Sequence, residues 1–313
     1  MSLAGQSCSA RPSPKQSRDC ETMPGDIGAI KSAPHPVVLL TGASAGIGAA
    51  VARELVRRKK AGALVLTARR GDRLDHLATE LLALQPDLEV LTIAADLAEP
   101  ETPERLLDAT IARFGGLDVL INNAGLGLPT LFADSLPEHL ARQLTVNFTA
   151  PLMLTRICLP SLIERKGMII NIGSAITCVA NSALGAYGAT KAGLAYWNDA
   201  LRRELHSKGV TVCLVEPGPI KTEFMDALSS LVPAGKETHP ILDNAAPWMT
   251  ADVDLVARGV VDLLDHPRRR LSVLRRFVWP FRILGAIARI CPPLGDRMVR
   301  LLQRESQEVR EAT

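Results

Sequence analysis

A short apolar run, Val37-Val38-Leu39-Leu40, ends in Thr41-Gly42-Ala43-Ser44-Ala45-Gly46-Ile47-Gly48 and leads into AAVARELVRRKK, whose apolar residues have helical spacing. No other stretch limits the fold as much. A four-residue apolar run of this kind reads as a buried strand. Glycines at the passage from strand to helix allow a backbone approach that any Cβ would block. The arrangement aims backbone N–H groups and a helix N-terminus at a phosphate, so a pyrophosphate is the expected guest. The spacing is G-x-x-x-G-x-G, not G-x-G-x-x-G, and a glycine turn alone can serve only to pack a helix on a sheet.

The same alternation repeats along the rest of the chain. Apolar strand-like runs at Ala63 to Thr67, Glu89 to Ala94, Asp118 to Ile121, Met168 to Ile172, Val210 to Val215 and Arg270 to Leu274 are separated by helical segments. The longest of these, from Pro137 to Arg165, contains Asn147 and is interrupted at Pro151. Strands alternating with helices at this pace predict an α/β, Rossmann-type doubly wound parallel sheet with right-handed crossovers. Its ligands should gather beyond the carboxyl ends of the strands. Asp96-Leu97, Asn123-Ala124-Gly125, Ser174 and Glu216-Pro217-Gly218-Pro219-Ile220-Lys221-Thr222 all fall at such ends.

One of these ends carries reactive groups. NIGSAITCVANSALGAYGATK, from Asn171 to Lys191, offers a hydroxyl (Ser174), a phenol (Tyr187) and an ammonium (Lys191). Tyr187 and Lys191 are four residues apart, hence on one face of a helix. A nearby cation favours the phenolate, so Lys191 is expected to lower the pKa of Tyr187 from its usual ~10 towards acid–base work at neutral pH. The second strand-like run ends in Ala68-Arg69-Arg70 rather than in the acidic residue that would bind a ribose 2′-hydroxyl. A guanidinium suits a phosphate there. NADP(H) is therefore favoured over NAD(H), with Arg69 as the phosphate partner and Arg70 read as a solvated loop charge.

Composition narrows the classes further. A net charge of +3 in 313 residues is too small to argue for nucleic acid. Six scattered cysteines form no paired spacing, so neither zinc nor a disulfide framework is indicated, and reduced cytoplasmic thiols are the plain reading. Residues 1–34 are rich in Ser, Pro, Gly and charge and read as a disordered leader, with Met23 a second candidate initiator. No run of ~18 uninterrupted apolar residues predicts a spanning helix. The expected organisation is the leader, one catalytic domain over 35–274, and a basic amphipathic extension over 275–313.

Taken together, the residues from about Val37 to about Leu274 resemble the short-chain dehydrogenase/reductase family. The resemblance implies an oxidoreductase that moves a hydride between a nicotinamide cofactor and a carbonyl or carbinol carbon. By this likeness Thr41, Gly42, Ser44, Gly46, Ile47 and Gly48 line the adenosine and pyrophosphate. Asp96 and Leu97 meet the adenine, and Asn123, Ala124 and Gly125 border a ribose. Pro217, Gly218 and Thr222 hold the nicotinamide amide. Asn147, Ser174, Tyr187 and Lys191 match the catalytic tetrad, with Tyr187 and Lys191 also touching the cofactor. One departure stands out: Ala45 occupies a place that several NADP(H)-using members fill with a basic residue. Homo-oligomers through the two long helices are common in the family. A catalytically silent, nucleotide-sensing or scaffold protein is the alternative, although members of that kind commonly replace the tyrosine or lysine.

Two further segments bear on the substrate. Residues 223–250 hold Phe224, Met225, Leu228, Trp248 and Met249 broken by Pro233, Gly235, Pro240 and Pro247, a composition suited to a mobile lid with an apolar lining. A lipophilic small-molecule ketone or alcohol is the preferred substrate on this ground. Beyond Leu274, arginines punctuate Phe277, Trp279, Phe281, Ile283 and Ile287. That tail admits two readings: a peripheral contact with an anionic membrane, or a cover over the substrate cleft or a partner subunit.

Overall fold

The computed structural model describes residues 36–180, 182–220, 252–273, 275–291, 293–294 and 297–298. The leader (1–34), Thr222 and the lid segment (223–250) lie outside the described residues.

In chain order the elements are β1 (Val37–Thr41), α1 (Gly46–Arg57), β2 (Ala63–Ala68), α2 (Gly71–Leu84), β3 (Glu89–Ala94), α3 (Thr102–Phe114) and β4 (Val119–Asn122). Then come α4 (Pro137–Leu144), α5 (Ala150–Glu164), β5 (Met168–Ile172), α6 (Gly185–Leu205), β6 (Thr211–Glu216), α7 (Val253–Asp265), β7 (Arg270–Ser272) and α8 (Arg275–Ile290). The strands form one sheet in the order β3-β2-β1-β4-β5-β6-β7. Every pairing in it is parallel. The strand order reverses between β1 and β4, and this is the switch point at which α/β sheets hold ligands.

Apolar runs without polar alternation are what a sheet covered on both faces requires, and β1, β4 and β5 are buried along their whole length. Successive side chains serve opposite layers. Val38 and Leu40 join Leu55, Leu74 and Val260 on one side, while Val37 and Leu39 join Leu106, Leu154 and Leu201 on the other. Within these layers α1 packs on α7 and α3 on α5. The stretch Pro137–Glu164 is long and apolar enough by length and composition to cross a membrane. Here it packs on α3 and α6 as part of this second layer.

That stretch is not broken at Pro151. The interruption comes just before it, where Thr145–Thr149 widens into a π-turn and Ala150 N–H reaches the carbonyl of Thr145. Pro151 itself sits in the first turn of α5, where a missing N–H is tolerated. The residue that loses a helical bond is Asn147, whose carbonyl would otherwise receive the N–H four positions on.

Beneath the carboxyl edge runs a buried ladder of amides. Asn122 Nδ2 donates to Thr155 Oγ1 (3.1 Å) and Asn171 Oδ1 (2.9 Å), and Asn171 Nδ2 donates to Asn198 Oδ1 (2.9 Å). The ladder ties β4 to β5 and α6 under the site. Asn171→Ala should strand a buried donor and a buried acceptor and cost about 1–3 kcal/mol, read from the midpoint shift in urea unfolding.

Candidate active site

The glycine turn after β1 is held from the neighbouring strand. Asn123 Nδ2 donates to the carbonyls of Thr41 (2.8 Å) and Gly42 (3.2 Å). The backbone N–H groups of Asn123 and Ala124 both donate to Thr41 Oγ1 at 3.0 Å, and that hydroxyl donates to Ile121 O at 3.3 Å. Thr41 is thus buried as a stitch between two strand ends, while Gly42, Ser44, Gly46 and Ile47 stay partly open. Gly42 has φ +67° and a Cβ there would meet Ala124 Cα at 2.9 Å. At Gly48 a Cβ would fall on the carbonyl oxygen of Gly42. This is a cradle that side chains would fill, and it fits a dinucleotide pyrophosphate. The helix behind it, α1, starts without a side-chain cap and with no acid in its first turn, which suits an anion.

Further along the edge, Arg69, Ala94, Ala95, Asp96, Glu99 and Arg105 line an open cleft of about 370 Å³. Burial alone would raise the Asp96 carboxyl, but the Ala98 N–H, the Arg142 guanidinium and the charge of Arg69 outweigh it and hold the group below its usual value. Leu97 is half-buried beside it. Arg70, read as a solvated loop charge, is exposed and also brings Nη2 to 3.3 Å from Ser44 Oγ. The turn therefore has a guanidinium beside it although Ala45 supplies none.

The reactive groups meet where β5 and α6 face each other. Ser174 caps the short 3₁₀ turn Ala175–Cys178, its Oγ accepting from Ile176 N–H at 3.2 Å. Its hydroxyl is near enough to the Tyr187 phenol to act on the phenol's pKa. Lys191, only 4% exposed, donates from Nζ to the Ile172 carbonyl at 2.8 Å. Nζ lies 6.0 Å from the centre of the Tyr187 ring. Gly125 closes the group: a Cβ there would stand 3.4 Å from Asn147 Oδ1 and 3.5 Å from Lys191 Nζ. The Asn147 side chain accepts from Leu126 N–H (2.7 Å) and donates to Leu126 O (2.7 Å) and Thr190 Oγ1 (3.2 Å). Thr190 passes the chain on to the Tyr187 carbonyl at 2.7 Å. Pro217 and Gly218 succeed β6 on the same edge, and Ala175 N–H donates to Pro217 O at 2.8 Å.

The electrostatics correct one expectation. Lys191 does not lower the Tyr187 pKa here. Burial pushes the phenol up to about 12, and the nearby Ser174 hydroxyl offsets only part of this. Desolvation acts on Lys191 as well, bringing its ammonium down to about 8. Between them, burial keeps the phenol protonated at neutral pH and leaves the lysine close to titration.

The family profile described as short chain dehydrogenase matches residues 36–231. The chain belongs to that family. As a member it is an NAD(P)-binding oxidoreductase acting between alcohols and carbonyls. Serine 3-dehydrogenase of Rhizobium radiobacter is 37% identical over 188 residues, 60% of this chain and 73% of that protein. The 11-beta-hydroxysteroid dehydrogenase 1A of Arabidopsis thaliana is 36% identical over 285 residues, 88% of this chain and 78% of the other. Among solved structures, the alcohol dehydrogenase of the archaeon Thermococcus sibiricus, complexed with 5-hydroxy-NADP, superposes with a TM-score of 0.64 at 27% identity. The match covers 76% of this chain and 95% of that one.

Sequence reasoning missed Arg142, Thr190 and the approach of Arg70 to the glycine turn. Arg142 is 46 residues from its partner Asp96, and no local pattern announces such a pair. Thr190 lies inside the Tyr187–Lys191 interval, on a face that spacing alone does not distinguish.

Burial of Lys191 yields a sign that can be checked. In the fold the amine loses its proton near pH 8, whereas the unfolded chain keeps it to the ordinary 10.5. The unfolded state binds more protons in that window, so stability must rise with pH across it. Relative to Lys191→Met, the parent protein should gain stability between these values, measured by urea unfolding at both ends. A constant difference would show that Lys191 titrates as an exposed lysine does.

Proposed function

We propose that the protein reduces a lipophilic ketone with NADPH, with Ser174, Tyr187, Lys191 and Asn147 as its reaction site. The observation that carries this reading is the convergence of Ser174 and Tyr187 with the Lys191 ammonium, 6.0 Å from the Tyr187 ring centre, and the Asn147–Gly125 corner. When bound, the cofactor supplies a hydride from its nicotinamide ring. The protein's part is to place the substrate and manage one proton. Ser174 hydrogen-bonds the carbonyl oxygen, and Tyr187, kept protonated by burial, donates its phenolic proton to that oxygen as negative charge develops. Lys191 holds the nicotinamide ribose hydroxyls and keeps a positive charge next to the phenol that loses its proton. Asn147 fixes a water that links Lys191 to solvent.

For the rest of the cofactor, Gly42, Ser44, Gly46, Ile47 and Gly48, with Thr41 behind them, form the pyrophosphate cradle. Asp96 and Leu97 border the adenine; Asn123, Ala124 and Gly125 border a ribose; and Pro217, Gly218 and Thr222 meet the nicotinamide amide. The preference for NADPH rests on Arg69 at the cleft and on Arg70, whose guanidinium stands next to Ser44. A dinucleotide bearing a 2′-phosphate offers these two cations an anion. The NADP-type ligand of the Thermococcus sibiricus relative agrees with this. The lipophilic substrate rests on the apolar composition of residues 223–250, and on a relative spanning most of the chain that is named a hydroxysteroid dehydrogenase.

Tyr187→Phe should abolish NADPH oxidation against a ketone panel while NADPH fluorescence titration still shows binding; near-normal turnover in that variant would refute the assignment. Arg69→Asp should raise the KM for NADPH about tenfold or more and change that for NADH much less. Equal changes in the two steady-state values would remove Arg69 from the phosphate role.

A further inference from the structure

The C-terminal helix is built into the active-site edge. In α8, Leu284 and Gly285 are buried, and a Cβ on Gly285 would fall on the carbonyl oxygen of Cys178. Cys178 ends the 3₁₀ turn that Ser174 caps. One turn earlier on α8, Arg282 Nη2 donates to Glu216 Oε2 at 2.7 Å and to Ser272 Oγ at 3.2 Å. The same guanidinium is near enough to the Cys178 thiol to offset part of the rise that burial imposes on its pKa. It therefore bridges the end of the serine turn to the end of β6, immediately before Pro217 and Gly218.

Glu216 is the hub. Its side chain is 3% exposed. Arg270 Nη1 donates to Oε1 at 3.1 Å, and Ser272 Oγ donates to Oε2 at 3.1 Å. Arg270 also reaches Asp199 Oδ2 at 2.8 Å on α6, the helix that carries Tyr187 and Lys191. A 3₁₀ turn of four residues has little stability of its own. Its position depends on what it is tied to: Pro217 O through Ala175 N–H on one side, and α8 on the other.

We propose that α8 is a positioning element of the reaction site, with Arg282 and Gly285 setting where the Ser174 hydroxyl stands relative to the Tyr187 phenol. This rests on the reading of Ser174 and Tyr187 as the reacting pair. Arg282 touches neither; it acts through the turn and through Glu216. Because Arg270 and Ser272 remain on Glu216 when Arg282 is removed, the carboxylate is not left bare and the sheet should stay folded. Gly285→Ala tests the second tie independently, since its methyl must lift α8 from the Cys178 carbonyl.

The experiment measures NADPH-dependent reduction of 9,10-phenanthrenequinone by the full chain, together with hydrogen exchange at single amides. Arg282→Ala and Gly285→Ala should each lower kcat about ten- to a hundredfold, as small misplacements of a reacting group do. The KM for NADPH should move much less, and Arg282→Lys should recover most of the kcat. In Arg282→Ala the amides of Ala175 and Ile176 should exchange faster while those of Leu39 and Leu40 stay as in the parent. Parent-like kcat in Arg282→Ala, or a lysine variant as slow as the alanine one, would overturn the proposal. Unchanged exchange at Ala175 and Ile176 would overturn it too, even if the quinone is not a substrate. Turnover surviving in Tyr187→Phe is a separate result, which refutes the reaction site and not the tie between α8 and the turn.

Discussion

The site depends first on how the end of β1 is fastened to the end of β4. One side chain, Asn123, takes the carbonyls of Thr41 and Gly42, and one hydroxyl, Thr41, takes two backbone N–H groups in return. A tight glycine turn has few side chains with which to define itself. Here its shape is imposed from the neighbouring strand, and Gly48 then sets how closely α1 can approach it. The same segment runs on to Gly125, which stands between Asn147 and Lys191. The two ends of the active-site edge, cradle and reacting groups, are thus fixed by one short strand end at the switch point of the sheet.

The second governing effect is desolvation. The spacing of Tyr187 and Lys191 predicts a cation beside a phenol, and the structure places them so, yet the phenol is raised rather than lowered. At 6.0 Å from the ring centre, with its ammonium on a backbone carbonyl and nearly sealed from water, Lys191 stabilises a phenolate less than burial destabilises it. These protonation states suit the proton donation proposed for the pair. A protonated phenol and a lysine brought down to about 8 form a donor beside a cation.

How much of this could be read from the sequence depends on range. The glycine turn, the strand-end motifs and the i, i+4 relation of Tyr187 and Lys191 are local, and local periodicity marks them. The parallel sheet is implied by their alternation. Strand ends shifted by about a residue, as at β4 and β6, because hydrogen bonding rather than hydropathy decides where pairing stops. The π-turn was legible in part, since a proline four residues after Asn147 removes a helical donor, but its placement at Thr145–Thr149 needed the packing of α4 on α6. Arg70 at Ser44, Arg142 at Asp96 and Arg282 at Glu216 lie 26, 46 and 66 residues from their partners. Nothing in a one-dimensional pattern distinguishes these guanidiniums from solvated ones.

The buried carboxylate of Glu216 has a consequence for how the molecule is made. Its cationic partners, Arg270 and Arg282, lie 54 and 66 residues further along the chain. Synthesis runs from the N-terminus, so the first six strands can leave the ribosome before either arginine exists. During that interval a carboxylate meant for the interior has no counter-ion, and water must remain at the end of β6. The central sheet can therefore assemble early, whereas the end of β6 gains its first counter-ion only with Arg270 and its second only with α8. A chain stalled short of Arg282 would own the sheet and lack the second of these two ion pairs.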